Sequence, residues 1–229
     1  MPRIQIRSVR GKRLHDFRAS RGRESGWIDL VWSPRDGEIA WTHTWPGNDE
    51  CRNVPIGSEI YVSSLDGRNR RRIGIGGWTE GLTYSRDGRR LAAAVDCADI
   101  TCEQVLVSDR VAYTLWKPNK AVVLTGPLWS WTGNQLFVVL ADALQAPDYS
   151  PKNPRLVAVD VDTLQSRYVA PLPDWGVALE AVSRDDSTLA IRVFDPEQMW
   201  LVSITDGALR GMPWPPASYA DSTEAVFLP

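Results

Sequence analysis

Residues 27–45 read WIDLVWSPRDGEIAWTHTW: an apolar run, a Ser-Pro-Arg-Asp-Gly turn and a second apolar run. Proline presets a turn φ and glycine accepts a positive one, so Ser33 to Gly37 reads as a tight reversal between two strands. The spacing recurs along the chain. A serine closing an apolar run stands six residues before the first aliphatic residue of the next run at Ser33 and Ile39, Ser85 and Leu91, Ser130 and Leu136, and Ser183 and Leu189. Helical periodicity is absent around these turns, and the short runs between turn residues read as strands, so the unit of the repeat is a β-meander.

Working outward, the first complete unit covers about 24–75, with strands near 27–32, 39–44, 59–65 and 70–73. Further units follow at about 77–120, 121–173 and 174–215. Repeats of roughly 45 residues with four strands each predict a β-propeller of four-stranded antiparallel blades, an all-β fold. The ends are half-units. RIQIRSVRGKRL at 3–14 repeats the second half of the first unit, with Ile4 matching Ile60, Ile6 matching Val62, Val9 matching Leu65 and Gly11 matching Gly67. Residues 216–229 resemble a first half, with Val226 and Phe227 as strand material. Joined, segments 1–23 and 216–229 make a composite closing blade, giving a single domain of five blades over 1–229. A partial or truncated propeller is the alternative, because Pro213, Pro215 and Pro216 crowd the closing strand.

The repeats resemble the TolB-like propeller family, whose unit centres on a Trp-Ser-Pro-Asp-Gly turn followed by an aliphatic strand and then a strand ending in Asp-Gly. Trp32, Ser33, Pro34, Asp36 and Gly37, then Ile60, Tyr61, Val62, Leu65, Asp66 and Gly67, carry the match. Tyr84-Ser85-Arg86-Asp87-Gly88 follows it without the proline, and Trp129-Ser130 with Gly133 and Ser183 with Asp185 are weaker copies. The resemblance implies an architecture and names no ligand, since the matching residues are turn and packing positions. Some propellers of this type cap a serine peptidase, but this chain carries no Gly-x-Ser-x-Gly elbow.

Composition narrows the functional classes. No apolar run approaches the roughly 18 residues of a membrane-spanning helix, and the basic N-terminus lacks the apolar centre of a signal peptide. A cytoplasmic protein is expected from the chain as written, or a periplasmic or extracellular one if the N-terminus is truncated. The net charge of −2 hides an asymmetry, since residues 1–23 hold eight Arg or Lys against one Asp. Alternating apolar residues there fit a strand pair, so nucleic-acid binding is not expected from it. Cys97 and Cys102 flank ADIT and are placed to form a hairpin disulfide, but with Cys51 unpaired and no signal peptide, reduced structural thiols are expected. With two histidines and no CxxC, neither a metal nor another cofactor is expected.

A four-strand meander sorts its own connections. The Ser-x-x-x-Gly and Asp-Gly turns fall at one end, rich in Arg35, Arg68, Arg70, Arg71, Arg72, Arg86, Arg89, Arg90 and Arg184. The other end takes the loops at 42–58, 96–102, 141–154 and 194–198, which are long, differ in each repeat and carry Asp49, Glu50, Asp96, Asp99, Asp142, Asp148, Asp195 and Glu197. Irregular loops on a rigid scaffold are where binding residues are usually mounted. Trp27, Trp78 and Trp175 begin innermost strands at that end, with His43, Trp45 and Tyr149 in the loops around them, an aromatic and acidic mouth suited to a protein or cationic peptide partner, an amine, a sugar or a metal ion. The opposing expectation is that the tryptophans pack between blades and the acids solvate loops. A carbohydrate-active hydrolase is the second functional class, resting on Asp29, Glu80 and Glu180 in or near the innermost strands. The chain is expected to be a monomer.

Overall fold

The computed structural model describes residues 3–7, 12–18, 29–35, 37–46, 55–98, 101–109, 112–142, 151–173, 176–194 and 197–212. Those residues form strands and turns and no helix, and hence no helix long and apolar enough to cross a membrane. Two compact units result, 1–116 and 117–229.

In the first unit, β1 (Arg3–Arg7) and β2 (Arg13–Arg18) form a hairpin. An antiparallel meander follows, of β3 (Leu30–Trp32), β4 (Glu38–Pro46), β5 (Pro55–Ser64) and β6 (Arg71–Gly76) in chain order. A second runs through β7 (Trp78–Tyr84), β8 (Leu91–Ala98), β9 (Thr101–Ser108) and β10 (Tyr113–Trp116). Successive side chains of a strand point to opposite faces, and β4 buries both. Ala40 joins Ile60, Val62, Leu82, Leu91, Ala93, Val95 and Leu106 in one core. Ile39 and Trp41 meet Ile4 and Ile6 of β1 on the other. Trp41 is fully buried, stacked on Tyr61 at 5.6 Å and tilted against Phe17 at 5.8 Å. The Arg70 guanidinium lies 4.1 Å from the Tyr61 ring centre and 5.2 Å from that of Trp41. Burying an indole of this size is worth about 4–6 kcal/mol as an upper bound, so Trp41 is a packing residue that fastens the hairpin to the sheet.

The second unit repeats the pattern with aliphatic residues. Its meanders are β11 (Ala121–Trp129), β12 (Gln135–Asp142), β13 (Lys152–Asp160) and β14 (Ser166–Pro171), then β15 (Val177–Val182), β16 (Thr188–Phe194), β17 (Glu197–Ser203) and β18 (Leu209–Met212). Phe137, Val139, Leu156 and Ala158 pack against Val182, Leu189, Ile191, Val193 and Val202.

The serine spacing has a hydrogen-bonding cause. The amides of Ser33, Ser85, Ser130 and Ser183 donate to the carbonyls of Glu38, Arg90, Gln135 and Thr188, at 3.0, 2.9, 2.9 and 2.8 Å. In three of the turns the serine hydroxyl also accepts from the amide five residues on, at 2.9 Å from Arg90, 3.1 Å from Gln135 and 2.9 Å from Thr188. A left-handed residue closes the loop: Gly88 and Gly133 in two of them, Asp186 at φ 55° in the last. The Asp186 carboxylate accepts from the Trp131 amide, from the Thr132 amide at 3.1 Å and from its hydroxyl at 2.8 Å, tying one turn to the next.

At the opposite end the strands run further than the sequence suggested. The β4–β5 ladder extends through His43↔Glu59 and Trp45↔Gly57 to Pro46↔Pro55, β8–β9 through Ala98↔Thr101, and β16–β17 through Phe194↔Glu197. The described residues of the irregular loops expected at 42–58, 96–102 and 194–198 are therefore strand. Burial explains the extension of this ladder, where Thr42, His43 and Thr44 of β4 and Ser58 of β5 are all covered. The thiol expectation is corrected too: Cys97 and Cys102, directly opposite in the ladder, are joined as a disulfide. Residues 216–229, assigned to the closing blade, lie outside the described residues.

Candidate functional site

The chemistry of the first unit gathers at the start of β7. Between Trp78↔Cys97 and Glu80↔Ala94 an extra residue of β8 is accommodated, and between Glu80↔Ala94 and Thr83↔Ala92 an extra residue of β7. Asp96 at φ 57° and Gly81 at φ 62° take the left-handed conformations that such bulges need. The pair of bulges re-aims the intervening side chains without displacing the strands beyond them. Trp78 and Glu80, half-buried, share one side of β7. Thr79 on the other is buried against Ser58, whose hydroxyl bonds the Thr79 hydroxyl and donates to the Gly77 carbonyl at 2.7 Å. Asp96 accepts from the Gly77 amide at 2.7 Å and from the Gln104 amide group at 2.6 Å.

Glu80 sits where a carboxylate is costly to ionise. Burial, and then the negative charge of Asp29, push its pKa above the ordinary glutamate value. Asp29 itself is exposed, its amide donating to the Thr42 hydroxyl at 2.9 Å and its carbonyl accepting from the Thr42 amide at 2.9 Å. A Glu80 carboxylate oxygen and the sulfurs of Cys97 and Cys102 all lie within 4.8 Å of one another.

The other sequence candidates are placed differently. His43, expected in a loop, is a buried strand residue facing Glu59 across the ladder, and burial lowers its pKa with Arg70 adding to the effect against Glu59. It is therefore neutral at neutral pH. Trp45 is likewise in β4. Glu180 is the extra residue of a bulge in β15, and Arg192 lies 2.9 Å from its carboxylate. Trp27, Tyr149 and Trp175 fall outside the described residues.

The expected division into basic and acidic ends is blunted by local partners. Arg72 pairs with Glu59 at 2.9 Å, Arg68 with Asp66 at 3.4 Å, Arg89 with Asp87 at 3.6 Å and Arg71 with Glu38 at 3.7 Å. At the other end Asp142 accepts from Asn153 at 2.6 Å and Arg155 at 2.9 Å. Of the sequence candidates, Glu80, Asp29, Trp78 and the two cysteines are the ones gathered at this end of β7. Sequence reasoning missed Ser58, Thr79 and Gln104, whose roles come from partners remote in the chain or across a bulge.

No family model matches the sequence, and no curated protein matches it. Solved structures do. Oligogalacturonate lyase from Vibrio parahaemolyticus superposes with a TM-score of 0.55 at 10% identity, over 76% of this chain and 50% of that one. TolB from Acinetobacter baumannii gives 0.53 at 14% identity, over 90% and 47%. A chain of a nidogen/laminin complex gives 0.56 at 16% identity, over 82% and 64%. The fold is that of an all-β propeller. This chain spans about half to two thirds of the length of these three, and at such identities the likeness concerns the fold alone.

Proposed function

We propose that the chain is a TolB-like propeller of five blades, closed by a composite blade from 1–23 and 216–229, and that it acts as a non-catalytic interaction module. The packing of Ile4 and Ile6 on β4 supports the composite blade, because it puts β1 and β2 against the first meander as the outer strands of an adjacent blade would lie. The binding surface is the end at which β7 begins. One observation carries the reading: exposed Asp29 and half-buried Glu80 are close enough for their charges to oppose each other, with the half-buried Trp78 ring two residues from Glu80. Paired carboxylates beside an indole favour a cationic group, such as a lysine or arginine side chain of a peptide or protein. Trp27, Trp45, Tyr149 and Trp175 complete the proposed aromatic rim, while His43 and Glu180 are better explained by packing and by the pair with Arg192.

Calorimetric titration with an oligolysine peptide tests this. Asp29→Asn is expected to weaken binding about tenfold, and Trp78→Ala to weaken it in a chain that still folds. Equal binding by wild type and both variants, or none by wild type, would sink the proposal.

The raised pKa of Glu80 beside Asp29 favours a second reading, a glycoside hydrolase with Glu80 as general acid and Asp29 as base or nucleophile. Turnover of aryl glycosides that disappears in Glu80→Gln would replace the first reading with this one. The neighbours' names are compatible with both, since they include a lyase and a protein complex.

A further inference from the structure

The geometry points to a redox-gated zinc site made by Cys97, Cys102 and Glu80, one that the binding role proposed above does not require. Three observations converge on it. The cysteines are directly opposed on β8 and β9, so their sulfurs leave the sheet on the same side. The two compensating bulges around Glu80 bring its carboxylate to those sulfurs, and all three donor atoms fall within 4.8 Å of one another. Both cysteines are buried, at 7% and 3% exposure, so the donors are anchored by strand on either side of the hairpin.

As a disulfide the sulfurs are bonded to each other and offer no thiolate. A dithiol reductant supplies two electrons and is itself oxidised to a disulfide, while the Cys97–Cys102 bond breaks and each sulfur takes up a proton. A zinc ion then displaces the two thiol protons and is held by two sulfurs and one carboxylate oxygen. Zinc bonds of about 2.3 Å to sulfur and 2.0 Å to oxygen place tetrahedral sulfurs about 3.8 Å apart and the oxygen about 3.5 Å from each, so once the disulfide bond is broken the sulfurs move apart, while the carboxylate oxygen, within 4.8 Å of both, closes in by about 1.3 Å at most. Two thiolates with one carboxylate suit zinc better than calcium or magnesium, which take oxygen donors, or copper(I), which prefers sulfur. The fourth position stays open to water.

Cobalt(II) is the probe, because tetrahedral thiolate coordination gives it charge-transfer and visible d–d absorption that water ligation does not. Cys51→Ser is used throughout, leaving two thiols, and the disulfide is opened with a phosphine, which consumes water and leaves as the phosphine oxide. The reduced chain, its β-sheet confirmed by circular dichroism, is expected to take up one cobalt with thiolate bands that zinc abolishes. The oxidised chain is expected to show none. Glu80→Gln is expected to weaken cobalt binding at least about tenfold while keeping the charge-transfer band, with Glu80→Asp recovering part of the loss. Bands that persist in Cys102→Ser, affinity indifferent to Glu80→Gln, a folded reduced chain without bands, or loss of the sheet on reduction would each overturn the site.

Discussion

Strands β7 and β8 end in opposite ways. At the Ser85 turn the bonds are local: the Ser85 hydroxyl donates to Asp87 at 2.7 Å and accepts from the Arg90 amide at 2.9 Å, and the Gly88 amide donates back to the Ser85 carbonyl at 2.8 Å. At the Trp78 end two bulges, a disulfide and a half-buried carboxylate occupy a comparable length of strand. The first end is repeated along the chain and is chemically satisfied. The second occurs once among the described residues and makes the Glu80 carboxylate costly to ionise. Repetition therefore marks what holds the fold, and the departures from it mark where function is to be sought.

The largest expected effect tests the part common to both ends. Leu91 is buried at 1% exposure in the core that β7 and β8 share with β4 and β5. Leu91→Ala should lower unfolding stability by about 2–5 kcal/mol in urea titrations, and a loss below about 1 kcal/mol would mean that the two meanders do not depend on this core. Next comes the turn. Ser85 is fully buried, so Ser85→Ala leaves the Arg90 amide and Asp87 short of a partner and should cost about 1–2 kcal/mol; no loss would make the serine repeat ornamental rather than structural.

The smallest effect carries the sign that separates the ends. Glu80 has a folded-state pKa above its unfolded value, so the native chain holds more protons in that window and its stability falls as pH rises from the ordinary glutamate range through the folded pKa. Glu80→Gln should raise the melting temperature at pH 7 and lose that advantage at pH 4. Asp185 is the converse case at the turns, where the Ser183 hydroxyl, the Ser187 hydroxyl and the Ser187 amide hold its pKa at about 2. Its contribution is present above the unfolded aspartate value and lost as pH falls through about 2. If Glu80→Gln instead destabilised the chain at pH 7, the carboxylate would be a structural anchor and the comparison would fail.

The sequence by itself determined the recurring turn and the strand order. Ser33, Ser85, Ser130 and Ser183 each organise a reversal through bonds to residues at most five positions away, so the spacing is written locally and survives changes in the residues between. It also picked out Glu80, Asp29 and the opposed cysteines as residue types able to do chemistry. Tertiary structure decided the rest. That His43 and Trp45 belong to a strand, that Trp41 is clamped between Phe17 and Tyr61, that Glu180 is committed to Arg192 and that Glu80 meets a disulfide all depend on pairing register, on bulges and on contacts between residues far apart in the chain. A one-residue shift in any of those ladders would exchange the faces on which the side chains lie, and no local pattern in the sequence records it.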